Sequence, residues 1–492
     1  MGSNNKPEDN KPGILQGFLQ FFYGNFIVLL LGFISLPLIT RVLEKEEYGR
    51  TSLFSSVVSI IYICAILGLD QSYIRFYHKD NVDRRKLFKQ CLMPPLALIV
   101  VLSLAYFIFS DFFNIILFER TGLDISLLVV GYTLTSVFER FLFLHIRMEQ
   151  NGKLYSNLNI LSKVLYIVFI LVFVSIYGND FRVGLYALTL PLVIVTAGLM
   201  IRFLAQGKNY APSNHEVDTK TLLRYGIPFV PMLLMEWLLS SMDKWSIRFF
   251  NDFAETGVYS SAMQIMTILL TFKITYVAFW APIAMEKYEK EREEVVKPFF
   301  ADMFQKVQFL GMAAAFMLTI CRQLIVLMLG SSYRAAVKVI PFLSLMPILS
   351  ILFEMTGQGI KFKGKTIYFN YASLVAIICN LVGNTLLVPQ FKGAGAAMAT
   401  AVTYVVYFAI GTYLANKCYR VEYKYSRFVI ALIGYIVYAW YATFTNNEFI
   451  SIAIGIGMLI ALVIINRKTF NSLLSLAIDF VKKVGKRKNE SL

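Results

Sequence analysis

The stretch LPLITRVLEKEEYGRTSLFSSVVS, Leu36–Ser59, decides how the rest of the chain is read. An apolar run reaches Pro37, passes a charged turn of Arg41, Glu44, Lys45, Glu46 and Glu47, and restarts at Tyr48–Gly49. Beyond the turn, Ser52, Ser55, Ser56 and Ser59 recur at helical spacing, so their hydroxyls share one face of a membrane-length helix. Lipid cannot satisfy a hydroxyl stripe, whereas a neighbouring helix or a wet cavity can.

The same design returns half a chain later. Asp243–Lys244 leads through Ile247–Arg248 and a polar turn (Asn251, Asp252, Glu255) to Gly257-Val258-Tyr259-Ser260, after which Ser260, Gln264, Thr267 and Thr271 share a helical face. A second correspondence links Val183–Thr189 to Ala394–Thr400: Gly184 and Gly395 are 211 positions apart, and Arg41 and Arg248 are 207 apart. Two segment pairs at nearly one offset argue a duplication. The expected result is two lobes facing each other across a cavity.

Composition agrees with a chain that lives in a bilayer. Hydrophobic residues make up 57% and charged residues 16% of the 492, and mean hydropathy is +0.61. At roughly 20 residues per crossing, the spans fall at 14–40, 48–69, 91–110, 123–146, 155–177, 183–204, 222–242, 256–282, 299–321, 335–358, 368–388, 394–415, 428–445 and 449–466. The expected fold is therefore all-α and polytopic, with about fourteen transmembrane helices in two pseudo-symmetric six-helix lobes plus a C-terminal pair. The corresponding boundaries are a tail at 1–13, an N-lobe at 14–205, a linker at 206–221, a C-lobe at 222–416, the final pair at 427–466 and a basic tail at 467–492. Pro228 and Pro231 should kink or loosen the first turns of the seventh span.

The net charge of +16 is sorted by loop rather than spread as a nucleic-acid patch. One set of loops holds Arg84, Arg85, Lys86 and Lys89, then Lys208, Lys220 and Arg224, then Lys287, Lys290 and Lys297, then Lys361, Lys363 and Lys365; the alternate loops hold Arg120, Arg182 and Lys392 singly. The positive-inside rule then expects both termini in the cytoplasm, which an even span count allows. No signal peptide opens the chain, so the first span is expected to be retained. The excess charge is read as topology and contact with anionic membrane lipids. The five cysteines carry no CxxC pairing and read as structural thiols.

Soluble-enzyme motifs lack their context. Gly359–Thr366 (GIKFKGKT) satisfies the phosphate-loop pattern, but that loop works only between a buried strand and a soluble helix, and here it is a short basic turn between two spans. His78, His145 and His215 are scattered, no HExxH occurs, and no metal site or cofactor is expected. No external loop carries the acidic pair that a membrane glycosyltransferase or polymerase would need.

Charges inside the spans remain, each costing roughly 2.5–3.5 kcal/mol at mid-membrane. Arg140, Lys163, Lys273 and Lys306, with Arg41 and Arg248 at the hairpins, are the candidate cationic lining for a phosphorylated substrate. Glu139, Glu236, Asp243 and Glu354 are the candidates for coupling to a proton or sodium ion. The bland alternative for each is an inter-helix ion pair or a side chain snorkelling to the interface. Glu139 and Arg140 point about 100° apart and cannot simply neutralise each other, so each requires a partner elsewhere. Removing charge at Arg140 or Lys273 is expected to stop transport with folding intact.

With those residues in hand, the chain resembles the polysaccharide transporter family, the flippase branch of the multidrug/oligosaccharidyl-lipid/polysaccharide exporter superfamily. The likeness rests on Leu36–Gly49, on Arg224–Lys244 with its RYGIPFVP and Ser241-Met-Asp243-Lys244, and on LLVPQFKGAGAAMAT (Leu386–Thr400). It implies a monomeric, non-enzymatic flippase in the bacterial cytoplasmic membrane. Such a protein carries undecaprenyl-diphosphate-linked oligosaccharide by ion-driven alternating access and works beside a polysaccharide polymerase and chain-length machinery. A drug or cation antiporter and a peptidoglycan-precursor flippase are the neighbouring readings.

Overall fold

The computed structural model describes residues 14–79, 82–206, 217–475 and 478–479. The expected tail at 1–13, most of the linker with Lys208 and His215, and the end of the basic tail lie outside the described residues. All the regular structure there is helical, and twelve helices are long and apolar enough to cross a membrane. One of the twelve, Ile367–Cys418, is two helices joined at Lys392, whose left-handed φ of 52° turns the chain between the expected eleventh and twelfth spans. The expected eighth span lies within Phe253–Lys290. The tenth begins later than expected, at Ile340, behind the 3₁₀ segment Ser331–Lys338.

The chain divides into two compact units, one comprising Met1–Val42 with Leu53–Leu234 and the other Leu43–Ser52 with Met235–Leu492. The helices before the division are α1 (Ile14–Val42), α2 (Lys45–Ile66), α3 (Leu69–Phe76), α4 (Arg84–Ile108), α5 (Ser110–Phe118), α6 (Leu123–Met148), α7 (Gly152–Tyr177), α8 (Arg182–Gln206) and α9 (Thr219–Gly226). A 3₁₀ turn, Ile227–Phe229, follows α9 at Pro228, the loosening that missing proline N–H groups impose. Next come α10 (Val230–Phe250), α11 (Phe253–Lys290), α12 (Glu293–Ile320), α13 (Arg322–Leu327), α14 (Ile340–Leu343), α15 (Leu345–Thr356), α16 (Gln358–Phe362), α17 (Ile367–Cys418), α18 (Tyr425–Phe444) and α19 (Glu448–Ile465).

The core of the first unit gathers on α3. Tyr73 is fully buried among the rings of Tyr77, Phe88 and Phe141. Ser72 Oγ donates to the Leu222 carbonyl at 2.7 Å, tying α3 to α9. A Cβ on Gly68, itself at φ 65°, would stand 2.1 Å from the Gly226 carbonyl oxygen, so only glycine permits this approach.

In the second unit the tip of the opening hairpin, Leu43–Ser52, packs on the start of α11. A Cβ on Gly257 would stand 1.8 Å from the Lys45 carbonyl oxygen, and one on Gly49 would stand 2.0 Å from that of Phe253. Tyr333 Oη donates to the Leu43 carbonyl at 2.8 Å, and the Arg50 guanidinium lies 4.5 Å over the Phe253 ring. The two turns matched by sequence thus meet backbone to backbone. The final pair, α18 and α19, is held by Arg322, fully buried and 2.5 Å from Glu448, and by Tyr435, whose hydroxyl bonds the Pro341 carbonyl at 2.6 Å.

The phosphate-loop lookalike is a packing feature. Its first glycine, Gly359, lies on α16, where a Cβ would come within 2.6 Å of the Ala415 carbonyl oxygen, and Gly364 supplies a turn at φ 63°.

Candidate functional site

The most elaborate polar constellation surrounds Asp243, which α10 buries to 2% exposure. Its Oδ1 accepts from Asn380 Nδ2 at 3.0 Å and Asn384 Nδ2 at 2.8 Å; its Oδ2 accepts from the Tyr259 and Thr400 hydroxyls. Asn380 and Asn384 are one turn apart on the first half of α17, Thr400 lies on its second half, and Tyr259 stands two residues past the Gly257 contact on α11. Hydrogen bonds to a charged group contribute roughly 1.5–3 kcal/mol each, and four of them offset the cost of dehydrating the carboxylate. Two further oxygens are buried without a hydrogen bond among the described residues: Asn384 Oδ1 and Ser260 Oγ. No cation faces the carboxylate among its bonded partners. The set therefore surrounds the carboxylate with neutral N–H and O–H donors, and the adjacent Lys244 on α10 is close enough to interact with its charge.

A second cluster in the same unit joins α11, α15 and α16. Lys273 Nζ donates to Ser350 Oγ at 2.7 Å and lies 3.4 Å from Glu354 Oε1, while Lys361 Nζ reaches Glu354 Oε2 at 3.1 Å. Lys273, Glu354 and Lys361 are 27%, 23% and 32% exposed, so two ammoniums share one carboxylate in a half-buried setting with a net positive charge. Lys273 departs from the Ser260–Thr271 face and finds its partners on α15.

In the first unit, Arg140 meets Asp70: Nη2 and Nε approach Oδ2 at 2.7 and 3.2 Å. The partner that Arg140 requires is thus a residue sequence reasoning did not single out. Gln71 Nε2 donates to the same Asp70 oxygen at 3.0 Å, and Oδ1 is buried without a hydrogen bond among the described residues. Three residues on, Tyr73 Oη meets His145 Nδ1 at 2.8 Å, a second clamp of α3 onto α6. Glu139 is half-buried, and Lys163 lies 4.6 Å over the Tyr166 ring.

The other sequence candidates disperse. Arg41, Glu236, Ser59 and Thr267 are exposed, while Ser55, Gln264, Thr271 and Arg248 are half-buried. Ser52, Ser56 and Ser260 are buried. Several stripe hydroxyls bond back to their own helix, Ser59 to the Ser55 carbonyl at 2.6 Å and Thr267 to that of Met263 at 3.0 Å. Arg248 lies 4.2 Å over the Phe253 ring, and Lys306 pairs with exposed Asp302 one turn away at 2.7 Å. Sequence reasoning picked out Asp243 but missed its four partners, Tyr259, Asn380, Asn384 and Thr400. The available signal was the asparagine pair at i, i+4 in the apolar run AIICNLVGNTLLV. Among the described residues no group of three or more His, Cys, Asp or Glu could hold a metal.

Residues 14–286 match the family described as polysaccharide biosynthesis protein. Over 450 residues, 90% of this chain and 93% of the relative, the sequence is 20% identical to the probable low-salt glycan biosynthesis flippase Agl15 of Haloferax volcanii. Among solved structures, lipid II flippase MurJ in an inward closed conformation matches with a TM-score of 0.67 at 12% identity, covering 92% of this chain and all of that one. An inward-facing multidrug resistance MATE transporter of the MOP superfamily matches at 0.60 and 16% identity, covering 81% and 97%. At such identities the structures establish a common fold, the polytopic helical one expected from the spans.

Proposed function

The chain belongs to the polysaccharide biosynthesis protein family, and from that premise we propose that it is a flippase for undecaprenyl-diphosphate-linked oligosaccharide. It carries its substrate from the cytoplasmic to the outer leaflet of the bacterial cytoplasmic membrane, for assembly of a surface polysaccharide by a polymerase with its chain-length machinery. The basic loops support an orientation with both termini in the cytoplasm. Transport draws on an ion gradient by alternating access.

One observation carries the substrate class: Lys273 and Lys361 share Glu354, with Ser350 beside them. An incoming diphosphate carries more negative charge than the glutamate and exchanges for it, each ammonium acting as a movable point charge. Asp243 supports the coupling role. Its four neutral donors leave a charge that a proton or sodium ion can neutralise, and turning the two amides over would replace N–H groups with carbonyl oxygens.

The test is translocation of a fluorescent lipid-linked oligosaccharide in proteoliposomes. Lys273→Gln and Lys361→Gln should each cost about 1.5–3 kcal/mol of phosphate interaction, read as a raised KM, with unchanged thermal stability for Lys361→Gln. Wild-type protein that exports a cationic dye and leaves the lipid-linked sugar behind would establish the antiporter reading instead.

A further inference from the structure

The second unit holds an apolar chamber of about 460 Å³, within the roughly 300–1,000 Å³ range that accepts a drug-sized molecule. Its walls include Leu269 from α11, Ala314 and Met317 from α12, Cys321 at the α12–α13 junction, and Pro347 and Ile351 from α15. Every residue lining it is aliphatic, glycine, proline, methionine or cysteine. Such a chamber offers water no hydrogen-bond partners. Ala314 and Met317 are exposed on the surface of α12, so the chamber opens outward past them.

Its position relates it to the lysine cluster. Leu269 is one turn from Lys273 on α11; Pro347 and Ile351 each precede by three residues the two α15 partners of Lys273, Ser350 and Glu354. Residues three and four apart share a helical face. The same two facing helices therefore build an apolar room and, one turn nearer the mixed-charge Lys287–Lys297 segment, a cationic ledge.

We infer that this chamber seats the first isoprene units of the carrier lipid's tail while the ledge holds the phosphate they are joined to. The inference rests on the flippase reading and adds a tail subsite to it. Charge selects the occupant. The diphosphate that joins carrier to sugar bears an ionised oxygen on each phosphate, and the monoester of undecaprenyl phosphate carries about −1.5 to −2 at neutral pH. The phosphodiester of an ordinary phospholipid such as phosphatidylglycerol carries a single charge, and two lysines stand on the ledge. Hydrocarbon gains little by leaving lipid for protein, since both are apolar. The chamber therefore contributes shape and dispersion contacts that fix where the tail enters, and the ledge contributes affinity.

Cys321 is a built-in reporter. In full-length protein with Cys64, Cys91, Cys379 and Cys418 replaced by alanine, alkylation of Cys321 by a small maleimide is timed in detergent with undecaprenyl phosphate, phosphatidylglycerol or inorganic phosphate. At undecaprenyl phosphate about four times its Kd, mass action slows labelling about fivefold; phosphatidylglycerol and inorganic phosphate leave it unchanged, and Lys273→Gln shifts the protection to higher concentration. In the wild-type background, Ala314→Phe obstructs the chamber at its exposed edge and should raise the KM for the lipid-linked oligosaccharide without lowering the melting temperature. Equal protection by phosphatidylglycerol, or none by undecaprenyl phosphate, overturns the inference. Wild-type protein that transports the oligosaccharide with Cys321 unprotected sinks the tail subsite alone. Wild-type protein that binds undecaprenyl phosphate at Cys321 but translocates no lipid-linked sugar leaves the subsite standing and sinks the flippase reading.

Discussion

Asp70 in the first unit and Asp243 in the second are both 2% exposed, and they solve the problem of a buried carboxylate in opposite ways. Asp70 is met by the guanidinium of Arg140 and an amide from Gln71. Asp243 is met by two amides and two hydroxyls, all neutral. The first arrangement cancels the charge within the protein and fixes α3 against α6. The second satisfies the hydrogen-bonding capacity of the carboxylate while leaving its charge available. The same side chain is thus held as one half of an ion pair in one unit and among neutral donors, as the proposed coupling role requires, in the other.

The sharpest way to break that contrast is Arg140→Ala. It leaves the buried Asp70 carboxylate with Gln71 alone. A fully buried pair that loses one partner costs about 3–5 kcal/mol, and because the Arg140 side chain is 40% exposed, screening by solvent puts the expected loss at the lower end of that range. A melting temperature in detergent close to wild type would show that the Asp70 pair does not fix α3 against α6. This revises the sequence-based expectation that charge removal at Arg140 spares folding, because Asp70 depends on it.

The next effect is ligand stabilisation at Asp243. Saturating the coupling cation at about 100 times its Kd should stabilise wild type by about 2.7 kcal/mol. Asp243→Asn should abolish that gain, with sodium titrated against choline at constant ionic strength and then protons by pH. If neither ion stabilises the wild type more than the variant, Asp243 is structural like Asp70.

Thr400→Val removes one donor from a charged acceptor and should cost about 1.5–3 kcal/mol, with a weaker cation response; full stability together with an intact response would place Thr400 outside the set. Smallest of all, Lys306→Gln breaks only a pair with exposed Asp302 and should shift stability by less than about 0.5 kcal/mol. A loss of transport there would return Lys306 to the substrate path.

Much of the architecture was legible because membrane spans announce themselves. A helix in lipid must be long and apolar, so runs such as Gly152–Tyr177 and Glu448–Ile465 are visible in composition alone. The hairpin pair was legible too, through Gly49 and Gly257, though not the backbone contact between them. The candidate sites were legible only in part. Charge marked Asp243, Arg140, Lys273 and Glu354, since any ionisable group in a span is conspicuous. Neutral partners such as Asn380, Asn384 and Tyr259 are inconspicuous by the same measure, and Asp70 was hidden by its place beyond the end of a span.

By itself, then, the amino-acid order determined the helices and their approximate ends, because each follows from transfer free energies that are local to a segment. Which carboxylate meets a guanidinium and which meets four neutral donors was decided by tertiary structure alone. Asp243 and Thr400 are 157 positions apart, and Asp70 and Arg140 are 70 apart. Nothing local to either residue of such a pair encodes the other; only the packing of whole helices brings them within hydrogen-bond reach.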